Sequence, residues 1–200
     1  MSYAKTPSTR DAALRATAHL LRTRGYAATG LRDIVEASGV PKGSLYHHFS
    51  GGKSQIAAAA LHATGVRMKA GLEAMAEAHQ GDPVAAVREF CDRYVEQLET
   101  SGFELGCPLA TVSLESTPDE VRTACGAAFR SIVSVLETRL LAGGLEPATA
   151  EHAAEFAVAA IEGGLVLSKA QTDTQPLSRV RDHICTYLET LLKDAERSND

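Results

Sequence analysis

Hydrophobic positions along the chain recur at intervals of three and four residues, the spacing that predicts amphipathic α-helices. The first such run, from Thr9 to about Arg24, ends at Gly25, and a second begins near Leu31 and ends at Gly39. No stretch alternates polar and apolar residues for long enough to predict a strand. After a short third helix, further helical runs are predicted at about 53–79, 83–100, 108–114, 117–142, 147–171 and 176–195. The pattern predicts an all-α protein of about nine helices.

A tight turn of sequence GVP separates the second helix from the third, which reads KGSLYHHF. Helix, tight turn and helix is the pattern of a helix-turn-helix. At about 100° per residue, Leu45 and Phe49 face the two preceding helices. The opposite face and its flanks then present Lys42, Gly43, Ser44, Tyr46 and His47.

This polar face suits the major groove of DNA. Lys42 and Ser44 could reach base edges, while Tyr46 and His47 are long enough to contact the flanking backbone. Gly43 would let the helix approach closely. The alternative is a solvent-exposed helix with no partner. A metal site at His47 and His48 is not expected, because adjacent helical side chains diverge by about 100°.

The distribution of charge supports a polyanionic partner for the N-terminal part. Residues 1–55 carry eight Lys/Arg and three Asp/Glu, a net charge of +5. The whole chain has a formal net charge of −5, so the remainder carries −10. A basic N-terminal part on an otherwise acidic chain suggests that the N-terminal part binds a polyanion. Chance variation in surface charge is the alternative.

The four cysteines are widely spaced and form no metal-ligand spacing. No apolar run is typical of a signal peptide or long enough to span a bilayer. We therefore expect a cytoplasmic protein with reduced thiols, no metal or other cofactor, and no membrane partner. No acid–base pair stands out that would indicate an enzyme.

Residues 9–53 read TRDAALRATAHLLRTRGYAATGLRDIVEASGVPKGSLYHHFSGGK and resemble the DNA-binding head of the TetR family of bacterial transcriptional regulators. The segments FSGGK and GCPLATVSLE resemble the LmrA and YxaF subgroup. The resemblance implies a three-helix DNA-binding domain over 1–52, a larger helical ligand-binding and dimerisation domain over 53–200, and a homodimer.

The same resemblance assigns contacts with double-stranded operator DNA to specific positions. They are Thr29, Lys42, Gly43, Ser44, Tyr46, His47 and Lys53. Gly30 departs from the family pattern, which often has Ser or Thr there as the cap of the second helix. This departure leaves Thr29 as the local hydroxyl.

A regulator that senses a small molecule needs a pocket in its body. The candidate lining residues are Met68, Leu72, Phe90, Tyr94, Leu105, Cys107, Leu109, Val112, Phe129, Val133, Glu162, Leu165 and Val166. Each one alone is more commonly an ordinary core residue. Such a set, with few polar groups and no cluster of Lys or Arg, would suit a neutral or cationic, largely apolar molecule.

Small residues are frequent over 153–171, where Ala157, Ala160 and Gly164 share one helical face. Small faces let helices pack closely, and the resemblance implies a four-helix dimer interface formed here with the last helix. The candidates on that last helix are Ile184, Tyr187, Leu188 and Leu191. The alternative is an interior helix of the monomer.

The sequence thus predicts a ligand-responsive transcriptional regulator, a repressor released from a palindromic operator by a small apolar effector. One alternative is a redox-sensing regulator acting through Cys107, which lies at a predicted helix N-terminus, where thiol pKa values fall. Another is a helical enzyme or carrier with a vestigial DNA-binding head.

Overall fold

The computed structural model describes residues 8–199, and every regular element in that range is an α-helix. In chain order the helices are α1 (Thr9–Arg24), α2 (Leu31–Ser38), α3 (Lys42–His48), α4 (Gly52–Ala78), α5 (Pro83–Thr100), α6 (Pro108–Ser113), α7 (Asp119–Ala142), α8 (Pro147–Gln171) and α9 (Gln175–Asn199). The prediction of an all-α protein of about nine helices is confirmed for the described residues.

Polar and glycine residues set several helix ends. The Ser8 side chain, rather than that of Thr9, caps α1 by accepting a hydrogen bond from the Asp11 backbone N–H at 3.1 Å. The Asp82 carboxylate caps α5 in the same way. Gly39 ends α2 in the left-handed conformation, with φ of 65°. Because these capping residues are visible in the sequence, the predicted helix ends lie within a few residues of the observed ones.

The chain forms two compact units, and neither is continuous in sequence. Among the described residues, the first unit comprises residues 8–65 together with Pro108–Ala128, and the second comprises Val66–Cys107 together with residues 129–199. Helices α4 and α7 therefore pass from one unit to the other. These units do not follow a single cut in the chain, because α6 packs against α1.

The first unit contains the three-helix head. Leu21 of α1, Ile34 of α2 and Leu45 of α3 are buried together with Phe49, and α1 contacts both α2 and α3. Two residues of α6, Leu109 and Val112, are fully buried in the same unit. Burial of this apolar surface fixes the outward orientation of α3.

The second unit is organised around α9, which packs against both α5 and α8. Ile184 and Leu188 of α9 are buried, and so is Leu165 of α8. The Ser168 hydroxyl accepts a hydrogen bond from the Leu177 N–H at 3.0 Å and so fixes the turn between α8 and α9. Within 8–199, no helix combines the length and the hydropathy needed to cross a membrane.

Candidate nucleic-acid interface

Helix α3 is anchored by its apolar residues on one side only. Leu45 is 1% exposed, and Phe49, which follows the helix, is 2% exposed. Val40 is buried in the turn between α2 and α3, as expected for a residue that fills the space between two helices. Three buried anchors within ten residues leave α3 a single orientation.

The opposite side of α3 faces solvent. Lys42, Gly43 and His47 are exposed, Tyr46 is 43% exposed, and Ser44 is half-buried. A Cβ atom added at Gly43 would meet nothing within 4 Å, so the surface around it is open. The Lys42 ammonium lies 5.8 Å from the centroid of the Tyr46 ring. The structure thus places the predicted α3 residues on one accessible face.

A groove of about 300 Å³ runs between α2 and α3 beside these residues. Its lining combines apolar and charged side chains, namely Leu31, Arg32, Val35, Glu36, Lys42, Leu45 and Tyr46. Arg32 and Glu36 form an i,i+4 ion pair at 2.8 Å on its α2 side. The groove extends the polar face of α3 onto α2.

Thr29 requires a correction. Its side chain is only 1% exposed, and its hydroxyl donates a hydrogen bond to the Gly25 carbonyl at 2.6 Å. The hydroxyl therefore stabilises the turn between α1 and α2 and is not presented to a partner. Sequence spacing alone could not reveal this local hydrogen bond.

Lys53 lies in the first turn of α4 and contacts the same α1–α2 turn. Its ammonium lies 4.1 Å from the centroid of the Tyr26 ring and 3.4 Å from the Ala27 carbonyl oxygen. A cation above an aromatic ring is attracted by the electrons of the ring. These contacts hold the Lys53 side chain beside the head.

Glu115 was not predicted to belong to this region. Its two carboxylate oxygens accept hydrogen bonds from the backbone N–H groups of Tyr26 at 2.7 Å and Ala27 at 2.6 Å. The partners are 89 and 88 positions apart in sequence. Helical periodicity carries no information at that separation.

His48 is also exposed on α3, and from the sequence we considered it only as a metal ligand.

Comparison with known proteins decides what this arrangement represents. The family described as bacterial regulatory proteins, tetR family, matches residues 13–60, and the family described as transcriptional regulator LmrA/YxaF-like, C-terminal domain, matches residues 83–183. The chain belongs to the TetR family. It is thus a DNA-binding transcriptional regulator of the helix-turn-helix type, and the matched relatives are regulators rather than enzymes.

Relatives of this TetR-family regulator match over most of its length. It is 34% identical to the transcriptional regulator LmrA of Bacillus subtilis over 197 residues, which cover 96% of this chain and 100% of LmrA. YxaF of the same organism is 32% identical over 177 residues, covering 88% and 92%. A solved TetR regulator from Legionella pneumophila has a TM-score of 0.81 at 20% identity, covering 92% and 98%.

The ligand candidates of this TetR-family regulator are distributed over both units. Leu109 and Val112 are buried in the first unit, and the other candidates belong to the second. There Phe90 and Tyr94 contact each other, with ring centroids 5.0 Å apart. Val166 is 48% exposed, which contradicts its prediction as a lining residue. It lies on a face of α8 that points away from the interior.

Two buried side-chain atoms in the described part of the second unit lack hydrogen-bond partners. Within the described residues, Oε2 of Glu162 and Nε2 of Gln97 have no hydrogen-bond partner. Burial raises the pKa of Glu162 to about 7, and a hydrogen bond from the buried Cys107 thiol opposes that rise. A carboxyl group with this pKa is close to half protonated near neutral pH.

The predicted dimer face also needs correction. Ala157 and Gly164 are buried inside the protomer, and so are Ile184 and Leu188. A Cβ at Gly164 would lie 3.2 Å from Leu177 and 3.3 Å from Val180, so this glycine permits close packing of α8 on α9. The small residues here serve an intramolecular contact.

The solvent-facing side of the α8–α9 pair is apolar instead. A groove of about 460 Å³ is lined by Phe156, Ala160, Val180, His183, Ile184 and Tyr187. Phe156 is 54% exposed and Tyr187 is 39% exposed, and their ring centroids lie 5.5 Å apart. Among the predicted dimer residues, Ala160, Tyr187 and the half-buried Leu191 are partly accessible.

Proposed function

We propose that this chain is a homodimeric repressor that binds a palindromic operator and releases it when a small effector binds. The observation that carries the DNA-binding part is the exposed face of α3, with Lys42, Tyr46 and His47 turned outward and Leu45 and Phe49 buried. A helix presented in this way suits the major groove. A repressor role and a response to ligands are typical of the family.

Each α3 residue has a proposed role at the operator. Lys42 and Ser44 contact base edges, Gly43 allows close approach, and Tyr46 and His47 bind the flanking backbone. The apolar lining of the α2–α3 groove, from Leu31 and Val35, suits the methyl group of a thymine. Lys53 contacts phosphate, which its position in the first turn of α4 supports.

Selection from random duplexes tests this part of the proposal. The wild-type chain should enrich a palindrome whose half-sites are centred about 34 Å apart, the rise of one DNA turn. Operator binding is expected in the cytoplasm, where the DNA of a bacterial regulator is located. If no sequence is enriched, the chain does not read DNA through α3.

The second copy of the chain is proposed to cover the outer face of α8 and α9. Phe156, Ala160, Gly163 and Leu167 follow one another at four-, three- and four-residue steps along α8, and Phe156 and Leu167 are at least half exposed. A Cβ at Gly163 would meet nothing within 4 Å, so a partner helix can approach closely there. Two copies would form a four-helix contact.

The effector is proposed to be a neutral or cationic, largely apolar small molecule that binds in the ligand-binding domain. The unpartnered oxygen of Glu162 could accept a hydrogen bond from such a molecule, whereas an anion would find no cationic partner in the candidate set. Binding releases DNA only if the effector prefers the conformation that does not bind DNA.

A thermal-shift screen followed by operator release tests the effector class. Flat aromatic amines and neutral aromatic compounds should raise the melting temperature and weaken operator binding. Phe129→Ala and Glu162→Gln should reduce both effects. If only phosphorylated or multiply anionic compounds release DNA, the proposed class of effector is wrong.

Redox sensing through Cys107 has no supporting observation, since this residue is only 3% exposed.

A further inference from the structure

The turn between α1 and α2 is held by a carboxylate from a distant part of the chain. Glu115 follows α6, and its half-buried carboxylate accepts the N–H groups of two successive residues, Tyr26 and Ala27. Both hydrogen bonds, at 2.7 and 2.6 Å, are short enough for charge-assisted bonds. Successive backbone N–H groups that converge on one anion form a concave anion-binding site.

The backbone at Gly25 is shaped to admit this carboxylate. Gly25 has φ of 79°, a conformation that other residues rarely adopt. A Cβ atom added there would lie 1.9 Å from Oε1 of Glu115. The space beside Gly25 is therefore occupied by the Glu115 carboxylate, and any larger residue would displace it.

The other side of the turn is held as well. Lys53 lies above the Tyr26 ring and near the Ala27 carbonyl, and the Thr29 hydroxyl binds the Gly25 carbonyl. The turn is thus fixed through its N–H groups by Glu115 and through its carbonyl groups by Thr29 and Lys53. Helix α2 begins at Leu31, directly after this turn, and leads into α3 through Gly39.

We propose that Glu115 is a positioning residue for DNA reading: its carboxylate fixes the α1–α2 turn against the end of α6 and so sets the orientation in which α2 and α3 meet the operator. The proposal rests on the proposed function, because it concerns the preference for one duplex over others. If so, the segment that follows α6 influences which DNA sequence is bound, although Glu115 itself need not contact DNA.

Glu115→Gln is the informative substitution, since it keeps the shape of the side chain but leaves only one oxygen to accept the two N–H groups. The matched control is Glu120→Gln. Glu120 is exposed, and burial raises the pKa of Tyr26, a rise to which the charge of Glu120 adds. The control removes one negative charge near the turn and leaves intact the two hydrogen bonds that Glu115 accepts from the Tyr26 and Ala27 N–H groups.

The full-length chain is tested on a duplex selected from random DNA by the wild type, and on a scrambled duplex. Glu115→Gln should weaken binding to the selected duplex by about tenfold, the effect of losing one charge-assisted hydrogen bond. Binding to the scrambled duplex should be unchanged. Hydrogen–deuterium exchange should be faster in the peptide spanning residues 22–30. Glu120→Gln should match the wild type in all three measurements.

Wild-type preference for the selected duplex in Glu115→Gln would overturn the proposal, and so would an equal loss on both duplexes. A wild type that selects no duplex would instead contradict the proposed function itself. The two failures are therefore distinguishable. Gly25→Ala provides a second route, because its Cβ should displace the carboxylate and reproduce the loss of preference.

Discussion

The carboxyl group of Glu162 lies in the interior of the second unit, where burial raises its pKa to about 7 from the ordinary value of 4.5. The native chain therefore retains a proton on this group that the unfolded chain releases near pH 4.5. Ionising the buried group costs free energy, because the interior solvates charge poorly and the Cys107 thiol compensates only in part. The side chain is consequently a source of pH-dependent stability.

The free energy of unfolding should depend on pH through Glu162. The contribution of this group is fully present below the unfolded pKa and is lost as pH rises from about 4.5 through about 7. Glu162→Gln should lack this loss, so its stability relative to wild type should rise between pH 5 and pH 8 by up to about 3 kcal/mol. Urea unfolding at both pH values measures the difference. Parallel pH profiles for the two proteins would contradict the burial of Glu162.

Lys53 makes contacts within the protein, yet its side chain lies on the first turn of α4 and is only half-buried. Lys53→Ala should weaken binding to every DNA sequence and reduce the slope of log affinity against log salt by about one unit per protomer. Lys53→Arg should retain the slope. A full wild-type slope in Lys53→Ala would mean that the side chain only holds the Tyr26 turn.

At the scale of the helix, α8 has two faces that differ in burial. Its inner face carries Ala157, which is buried, and Gly164, which packs against α9, whereas its outer face carries Phe156 and Gly163. Each face contains small residues at helical spacing. From composition we predicted the face with Ala157, Ala160 and Gly164 as the dimer interface, whereas Ala157 and Gly164 are buried within the protomer. Phe156 is a large apolar residue that is 54% exposed in the structure, and it marks the outer face.

Substitutions at the adjacent residues Gly163 and Gly164 should affect dimer formation and protomer stability separately. Gly164→Leu should destabilise the protomer by roughly 1–3 kcal/mol, because the new side chain collides with Leu177 and Val180. Gly163→Leu should leave unfolding of the protomer unchanged and shift the chain from dimer to monomer, since its Cβ is free within the protomer. Urea unfolding and sedimentation velocity separate the effects. An intact dimer in Gly163→Leu would exclude this face as the interface.

At the scale of the whole chain, local patterns predicted the helices and the head but not the division into units. Leu45 and Phe49 defined the orientation of α3 because 3.6-residue periodicity acts over a few residues. The packing of α6 on α1 and the Glu115 contacts join segments about 90 residues apart. Such pairings depend on tertiary geometry, which a single sequence does not encode in any local spacing.

If α3 reads operator DNA, with two protomers on one palindrome, then binding should depend on both the DNA sequence and the side chains of α3. The most direct measurement is a fluorescence titration of the full-length chain on the selected duplex and on a scrambled duplex of equal length. Two protomers should bind each selected duplex, and they should bind it more tightly than the scrambled duplex. Tyr46→Ala should lose that preference, whereas Lys193→Ala, an exposed substitution on α9, should keep it. A Tyr46→Ala variant that still prefers the selected duplex, with unchanged affinity, would show that α3 does not read the operator.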